Sequence, residues 1–289
     1  MRRVSELPPG LDLERGEMRF GQVEPLPCDK WIASSVLQKA IRRGDVVTAQ
    51  RALMTCLQAG VSTLWRRMLV IAFEDVGIGS IDALSVVAGL ASKRRASGDN
   101  QEQDLLYACQ VLAEAQKDRG TDLLFAAAQH SAELDEARDV CGSIPVATRL
   151  QRVADTSLPL AERCVAAWYA SGVEAWPERR VGQGDFDGMM QTFAHLGVPN
   201  SILDLVRIGV KKTREPITLF LPLLWLASEQ DAAQGQLPLP VVEPWLPKMT
   251  LVHGVPTYGL DGHTRLGKEA IFQFGKRNQA IASLLPPRG

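Results

Sequence analysis

The sequence lacks the marks of a membrane protein, a secreted protein or a strongly charged nucleic-acid binder. Its 289 residues carry a net charge of −1, so any nucleic-acid or membrane binding would have to come from a local basic face. The most apolar run, 217–227, contains Pro222 and is about half as long as a membrane span. Residues 1–27 are polar and contain no apolar core typical of a signal peptide. We therefore expect a cytoplasmic protein without a membrane partner.

The motifs of metal binding and covalent catalysis are also missing. The five cysteines form no CxxC pair, and their odd number argues against a disulfide framework. They are Cys28, Cys56, Cys109, Cys141 and Cys164. The four histidines show neither HxxxH nor HExxH spacing, and no GxSxG serine motif is present. The sequence predicts no bound metal or cofactor.

The sequence does contain regularly spaced signals for the starts and ends of helices, and they predict an all-α fold. A polar cap, an apolar stripe at helical spacing and a glycine recur through the first half, and strand-like alternation is almost absent. Asp29 begins a helix that ends at Gly44, Asp45 begins the next, and Ser80 begins another. Further helices are predicted at 100–120, 121–139, 159–172, 189–196, 200–212, 216–225 and from 261 or 263 to about 285. We expect a multi-helix bundle with Pro-rich irregular segments.

The centre of this pattern is the stretch from Trp65 to Gly77. Two basic residues lead a very apolar helical run, and two adjacent acids followed by a glycine close it. Carboxylates at a helix C-terminus are disfavoured by the helix dipole, so this pair needs a compensating partner. We predict a structural corner made of Arg66, Arg67, Glu74, Asp75 and Gly77. The candidate partners of the acids are Arg43, Arg66, Arg67 and the amide groups of the helix that begins at Ser80.

The residues of this corner resemble a known family. Residues 66–84, RRMLVIAFEDVGIGSIDAL, are similar to the "RRLvxxASEDIGxADPxAL" corner of the RarA/MgsA/WHIP family of replication-associated recombination ATPases. Upstream, residues 37–45, LQKAIRRGD, are similar to the family's "kSIRGSD" helix end, and the similarity continues weakly to about Gln129. In that family the region is a helical collar that follows the AAA+ core and joins subunits into an oligomer. Phe73 stands where the family usually has serine.

The resemblance implies a collar-like protein that self-associates and works with replication or repair machinery. No AAA+ core precedes the matching region, so we do not expect ATPase activity. We divide the chain into an extended arm at 1–27, a collar-like domain at 28–142 and a helical extension at 143–289. The extension contains a Pro-rich segment at 235–249 and ends in a basic helix.

Three catalytic alternatives rest on particular residues. The acid pair Glu74 and Asp75 could bind Mg²⁺ or act as acid and base, given further acids. Those acids would be Asp82, Asp118 or Asp122. Residues 262–268, GHTRLGK, match the first seven positions of a P-loop, but the eighth is Glu269 and no strand is predicted before it, which favours an N-capped helix. The third alternative is a site formed by His253, Tyr258, Asp261 and His263.

Basic residues recur at helix ends, where the dipole favours them. If the fold gathers several on one face, they would follow a phosphate backbone with salt-dependent affinity. The candidates for nucleic-acid binding are Arg42, Arg43, Lys93, Arg94, Arg95, Arg179, Arg180, Lys211, Lys212, Arg214, Arg265, Lys268, Lys276 and Arg277. Trp176, in a Gly-rich loop, is the candidate for base stacking.

The function favoured by these observations is non-enzymatic. We expect an oligomerising protein of DNA replication, recombination or repair, including that of a mobile element, which binds DNA or a protein partner through basic helix ends. One alternative is a metal-dependent enzyme acting on nucleic acid or phosphate. The other is a helical subunit of a bacterial defence or regulatory complex.

Overall fold

The computed structural model describes residues 23–60, 63–93, 101–174, 181–233, 250–261 and 263–277. Its α-helices are α1 (Lys30–Arg43), α2 (Val46–Gln58), α3 (Leu64–Ile71), α4 (Ile81–Ser92), α5 (Gln101–Glu114), α6 (Gly120–His130), α7 (Asp135–Ser143), α8 (Val146–Ala154), α9 (Leu160–Ser171), α10 (Phe186–His195), α11 (Asn200–Thr213), α12 (Leu221–Ala233) and α13 (Arg265–Arg277). Within the described ranges the only strands are β1 (Leu251–Val252) and β2 (Val255–Pro256), which pair antiparallel. The prediction of an all-α fold is confirmed.

The predicted caps of the first helices are also confirmed. The Asp29 carboxylate accepts hydrogen bonds from two amide groups of the first turn of α1, and Gly44 ends that helix with φ of 71°. Asp45 and Ser80 cap α2 and α4 through their side-chain oxygens. Each of these signals acts within a few residues, so local sequence is enough to place them.

Three predicted helices differ from the structure. The helix predicted at 121–139 is two helices, α6 and α7, separated by a 3₁₀ turn at Ala132–Leu134. The helix predicted at 100–120 ends at Glu114 as α5. The helix predicted from Pro216 begins as a 3₁₀ turn, Pro216–Phe220, and continues as α12. Helix α8 was not predicted.

The chain forms two compact units, each built from separated segments. Unit 1 comprises Met1–Leu64, Asn100–Ala113 and Pro244–Gly289, and unit 2 comprises Trp65–Asp99 and Glu114–Glu243. The sequence-based division at residue 143 stays a prediction. Of the predicted arm and Pro-rich segment, residues 1–22 and 235–249 lie outside the described residues.

Unit 1 is organised on the α1–α2 hairpin, whose facing sides are apolar. Val36, Leu37 and Leu53 are fully buried there. The last residues before α1 are fixed on α2, since the Leu26 amide donates to Thr55 Oγ1 at 2.8 Å and that hydroxyl donates back to the Leu26 carbonyl at 3.1 Å. The segment after β2 lies along α1, where the Arg43 guanidinium stacks on the Tyr258 ring at 4.4 Å.

Unit 2 is packed around α9. This helix is buried on nearly every side, as expected for a helix at the centre of a bundle. Trp168 is fully buried and meets Phe125 edge-on at 6.1 Å, and Phe125 in turn contacts Phe220 at 5.9 Å. Aromatic rings that meet in this way add large apolar contacts to a core.

Buried arginines fix the helix ends of unit 2. The three that are almost fully buried are Arg138, Arg149 and Arg163. Arg149 donates to the carbonyls of Ile144, Tyr169 and Gln183 at 3.0–3.1 Å. These carbonyls would otherwise be left at helix ends or in a loop without a helical partner. The Arg149 guanidinium therefore replaces several main-chain hydrogen bonds.

Candidate functional site

The predicted corner is present, and its backbone is more irregular than a simple helix end. Helix α3 passes into a π turn, Ala72–Val76, and then a 3₁₀ turn, Gly77–Ser80, before α4 begins. The π turn is held from outside, because the Thr121 hydroxyl donates to the Phe73 carbonyl. Single π turns within helices occur frequently at functional sites, so this one merits a test of its role.

Two glycines allow the corner to lie against the main chain of the 116–118 segment. Gly77 has φ of 49° and ψ of −135°, which an L-residue rarely adopts. A Cβ on Gly77 would lie 2.7 Å from the Asp118 carbonyl oxygen, and one on Gly79 would lie 2.7 Å from that of Gln116. Both glycines therefore lie against main-chain atoms, which cannot give way as a flexible side chain can.

Asp75 is the buried charge at this corner. It has no exposed surface, and its Oδ1 lies 3.5 Å from Arg119 Nε. Burial lowers the pKa of Lys117 to about 8, and the nearby Asp75 carboxylate opposes part of that shift. Arg119 also forms an ion pair with Asp122, so one guanidinium serves two carboxylates.

One partner of Asp75 thus comes from a segment that the sequence did not single out. Arg66, one of the predicted partners, donates to Glu215 at 2.7 Å. Arg119 stands just before α6, outside any basic cluster, and no local pattern links it to Asp75. Only the packing of α6 against the π turn brings the two together.

The further acids proposed for a metal site have other environments. The Asp118 carboxylate accepts a hydrogen bond from the Gly120 amide at 2.8 Å and is buried. Asp122 is paired with Arg119, whereas Asp82 is exposed in the first turn of α4. Among the described residues, no group of three or more His, Cys, Asp or Glu side chains has a geometry that could hold a metal ion.

The P-loop-like segment forms the beginning of a helix. Gly262 lies outside the described residues. Thr264 caps α13, since its hydroxyl accepts from the Gly267 amide at 3.1 Å and its carbonyl accepts from the Lys268 amide at 2.9 Å. Gly267 packs on the backbone of Asp261. A P-loop would direct such amide groups at phosphate, so the interpretation as an N-capped helix fits this geometry.

In the histidine-containing cluster, the Asp261 carboxylate already has partners within the protein. Asp261 pairs with Lys39 and accepts from the His263 amide at 2.9 Å. Burial raises the pKa of Asp261, but the hydrogen bonds from Lys39 and His263 outweigh it and leave the pKa low. Burial raises the pKa of Tyr258 to about 12. These two groups therefore keep their charge states near neutral pH, which does not suit proton transfer.

The predicted nucleic-acid-binding residues are distributed over both units. Lys93, Arg265 and Lys268 are exposed, and Arg42 is half-buried with Arg43. Those that lie outside the described residues are Arg94, Arg95, Trp176, Arg179 and Arg180. Lys276 and Arg277 belong to α13, but their side chains are not among the described ones.

The fold places Arg66 beside the basic end of α11. Lys211, Lys212 and Arg214 are exposed at the end of α11, and Glu215 directly after them pairs with Arg66 of α3 at 2.7 Å. We call the four cations, Arg66, Lys211, Lys212 and Arg214, the basic surface. The sequence predicts Arg66 as part of the corner, and Lys211, Lys212 and Arg214 as candidates for nucleic-acid binding.

Arg214 has a backbone conformation that glycine usually supplies. It follows the last turn of α11 with φ of 59° and ψ of 23°, and its amide donates to the Val210 carbonyl at 2.9 Å. At this position after a helix, glycine is the common residue because it has no Cβ. The chain accepts a less favourable backbone here and gains an exposed positive charge.

Comparison of the chain with protein-family models, curated proteins and solved structures gives no significant match. The resemblance to the RarA/MgsA/WHIP collar therefore stays a prediction. None of the described helices is both long enough and apolar enough to cross a lipid bilayer.

The corner and the basic surface differ in their chemistry. The corner presents a fully buried carboxylate with an arginine beside it, which suits a fixed joint between helices. The basic surface consists of four exposed cations, one of which pairs with Glu215, and positive charge of this kind suits a polyanion.

Proposed function

We propose that this protein is a non-enzymatic interaction protein that binds the phosphate backbone of nucleic acid through the basic surface. Its biological setting, on the resemblance of residues 37–45 and 66–84, is DNA replication, recombination or repair, including that of a mobile element. The single observation that carries the proposal is the Arg66–Glu215 contact, which places Arg66 of α3 beside the residue that directly follows the basic end of α11.

The charge of this patch supports a polyanionic ligand. Arg66 pairs with Glu215, and three further exposed cations lie within four positions of Glu215 in the sequence, although the whole chain has a net charge of −1. Because arginine and lysine contacts to phosphate release condensed counterions, three to four such contacts give an affinity that falls steeply with salt, with a slope of about −0.9 per contact on a log–log plot. A patch of this size is enough for weak, sequence-independent binding.

The buried corner supports a role without chemistry. A catalytic carboxylate must reach its substrate, and Asp75 has no exposed surface. The same side chain has a structural partner in Arg119. The corner therefore serves as a joint that sets the direction of α4 relative to α3.

Self-association is proposed on the resemblance alone, since the family's collar joins subunits. Sedimentation equilibrium or light scattering would measure the mass directly, and a monomer at all concentrations would contradict this part. We further propose that the protein acts in the cytoplasm. The basis of this proposal is the sequence, whose cysteines are odd in number and form no CxxC pair.

The binding proposal is tested with matched charge reversals. Lys212→Glu removes one cation from the basic surface, and Lys30→Glu makes the same change on an exposed lysine of α1 in unit 1. Fluorescence anisotropy with labelled duplex and single-stranded DNA, over a salt series in EDTA, gives affinity and slope. We expect Lys212→Glu to weaken binding and flatten the slope by about 1.

Two results would count against the proposal. One is an equal effect of both reversals, which would mean that only the overall charge matters. The other is turnover of the DNA when Mg²⁺ replaces EDTA, lost in Asp75→Ala with folding retained, which would support the alternative of a metal-dependent enzyme.

A further inference from the structure

The basic surface contains an acid whose position is fixed by its own backbone. The Glu215 amide donates to Thr213 Oγ1 at 3.0 Å, and its carbonyl accepts from Thr218 Oγ1 at 3.3 Å. Both threonines are buried, and Arg214 before Glu215 turns the chain with φ of 59°. The backbone from which the Glu215 side chain extends toward Arg66 of α3 is therefore fixed.

The Glu215 carboxylate forms an ion pair with the guanidinium of Arg66. The Nη2–Oε1 distance is 2.7 Å, and the Arg66 side chain is 52% exposed. A carboxylate is the protein group that most resembles a phosphodiester oxygen pair in its bonding to arginine. Exposed ion pairs of this kind are weak, so a phosphate can replace the carboxylate.

We propose that Glu215 is an electrostatic brake on the basic surface. It keeps Arg66 engaged within the protein, so that Lys211, Lys212 and Arg214 make the phosphate contacts and Arg66 joins only when a phosphate displaces Glu215. The ligand is the sugar–phosphate backbone of nucleic acid, and this inference rests on the proposed function.

Glu215→Gln removes the brake while keeping the shape of the side chain. With Arg66 released, one more phosphate contact forms, so the salt slope steepens by about 0.9 and affinity rises about five- to tenfold near 0.1 M salt. The same anisotropy assay, with labelled duplex DNA in EDTA, measures both quantities.

A double-mutant cycle separates the brake from a general charge effect. In the Arg66→Gln background, Glu215→Gln has no arginine to release, so we expect its effect on affinity to fall to about twofold or less. Asp204→Asn is the matched control, because Asp204 forms an exposed ion pair with Arg207 at 3.0 Å within α11, the helix that also carries Lys211 and Lys212. It lies about 10 Å along α11 from Lys211 and should change affinity by less than about twofold.

The outcomes distinguish this inference from the proposal on which it rests. If the unaltered protein binds DNA but Glu215→Gln has no effect, or has the same effect with and without Arg66, the brake is refuted and the binding surface stands. If no variant binds DNA under any salt condition, both are refuted. Thermal melting of each variant confirms that the comparison is made between folded proteins.

Discussion

Replacing Gly77 by alanine tests whether the corner is a rigid joint. The φ of 49° and ψ of −135° at this position are strained for alanine, at a cost of about 1–3 kcal/mol. The new Cβ would also lie 2.7 Å from the Asp118 carbonyl oxygen. Overpacking against such atoms costs about 1–3 kcal/mol. We therefore expect Gly77→Ala to lower the free energy of unfolding by about 2–6 kcal/mol, a large share of the roughly 5–15 kcal/mol of an ordinary domain.

The same substitution at Gly89 should have the opposite sign. Gly89 lies within α4, and a Cβ there meets nothing within 4 Å. Alanine at an open position in a helix is more stable than glycine by about 0.8–1.0 kcal/mol. Both glycines belong to unit 2, so urea unfolding followed by circular dichroism compares them in one unit. If Gly77→Ala is as stable as Gly89→Ala, the tight contact at the corner is wrong.

Three further predictions concern buried groups. Arg149→Met should cost about 3–5 kcal/mol, because it removes a buried guanidinium that donates to three part-buried carbonyls. Arg207→Met on the surface of α11 should cost less than about 1 kcal/mol in the same urea assay. Burial lowers the pKa of Lys117 from its usual 10.5 to about 8, so the fold disfavours its charged form. The free energy of unfolding should therefore rise as the pH increases from about 8 to 10.5. Lys117→Met should remove that rise, and an unchanged pH profile in this variant would contradict the prediction. Of the five cysteines, only Cys28 is partly exposed, so a thiol reagent should label one site on the native protein, and Cys28→Ser should abolish that labelling.

Local signals in the sequence were sufficient for the helix starts but not for the contacts between helices. Asp29 and Ser80 act on amide groups two or three residues away, and such caps can be read from the chain itself. The Asp75–Arg119 pair joins residues more than forty positions apart. No periodicity indicates that pair, and the basic residues next to the corner were the more obvious partners.

The division between α6 and α7 shows a second limit. The apolar pattern of 121–139 contains neither proline nor glycine, so it predicts one helix. In the structure the Arg138 guanidinium reaches back to the carbonyls of Ala128 and Ser131 at 2.8 and 2.6 Å. A buried arginine thus satisfies the end of α6 and allows the chain to turn. A long side chain filling this role has no sequence signature.

The basic surface shows the same limit at the level of function. Each basic segment could be recognised, but the grouping could not, because Arg66 meets Glu215 only through the packing of α3 and the end of α11. The sequence also assigned Arg66 to the corner, on the argument that the nearest arginine would serve the acids. Whether the surface binds nucleic acid stays a prediction.

The most direct test measures stability and DNA binding side by side for Asp75→Asn and Lys212→Glu. We predict that Asp75→Asn lowers the free energy of unfolding by about 2–4 kcal/mol but binds DNA like the unaltered protein at a temperature where both are folded. Lys212→Glu should keep its stability and lose affinity. The account would be contradicted if Asp75→Asn were stable but had altered DNA binding or lost turnover, while Lys212→Glu bound DNA normally. The corner would then have a functional role, and the basic surface would not be the binding site.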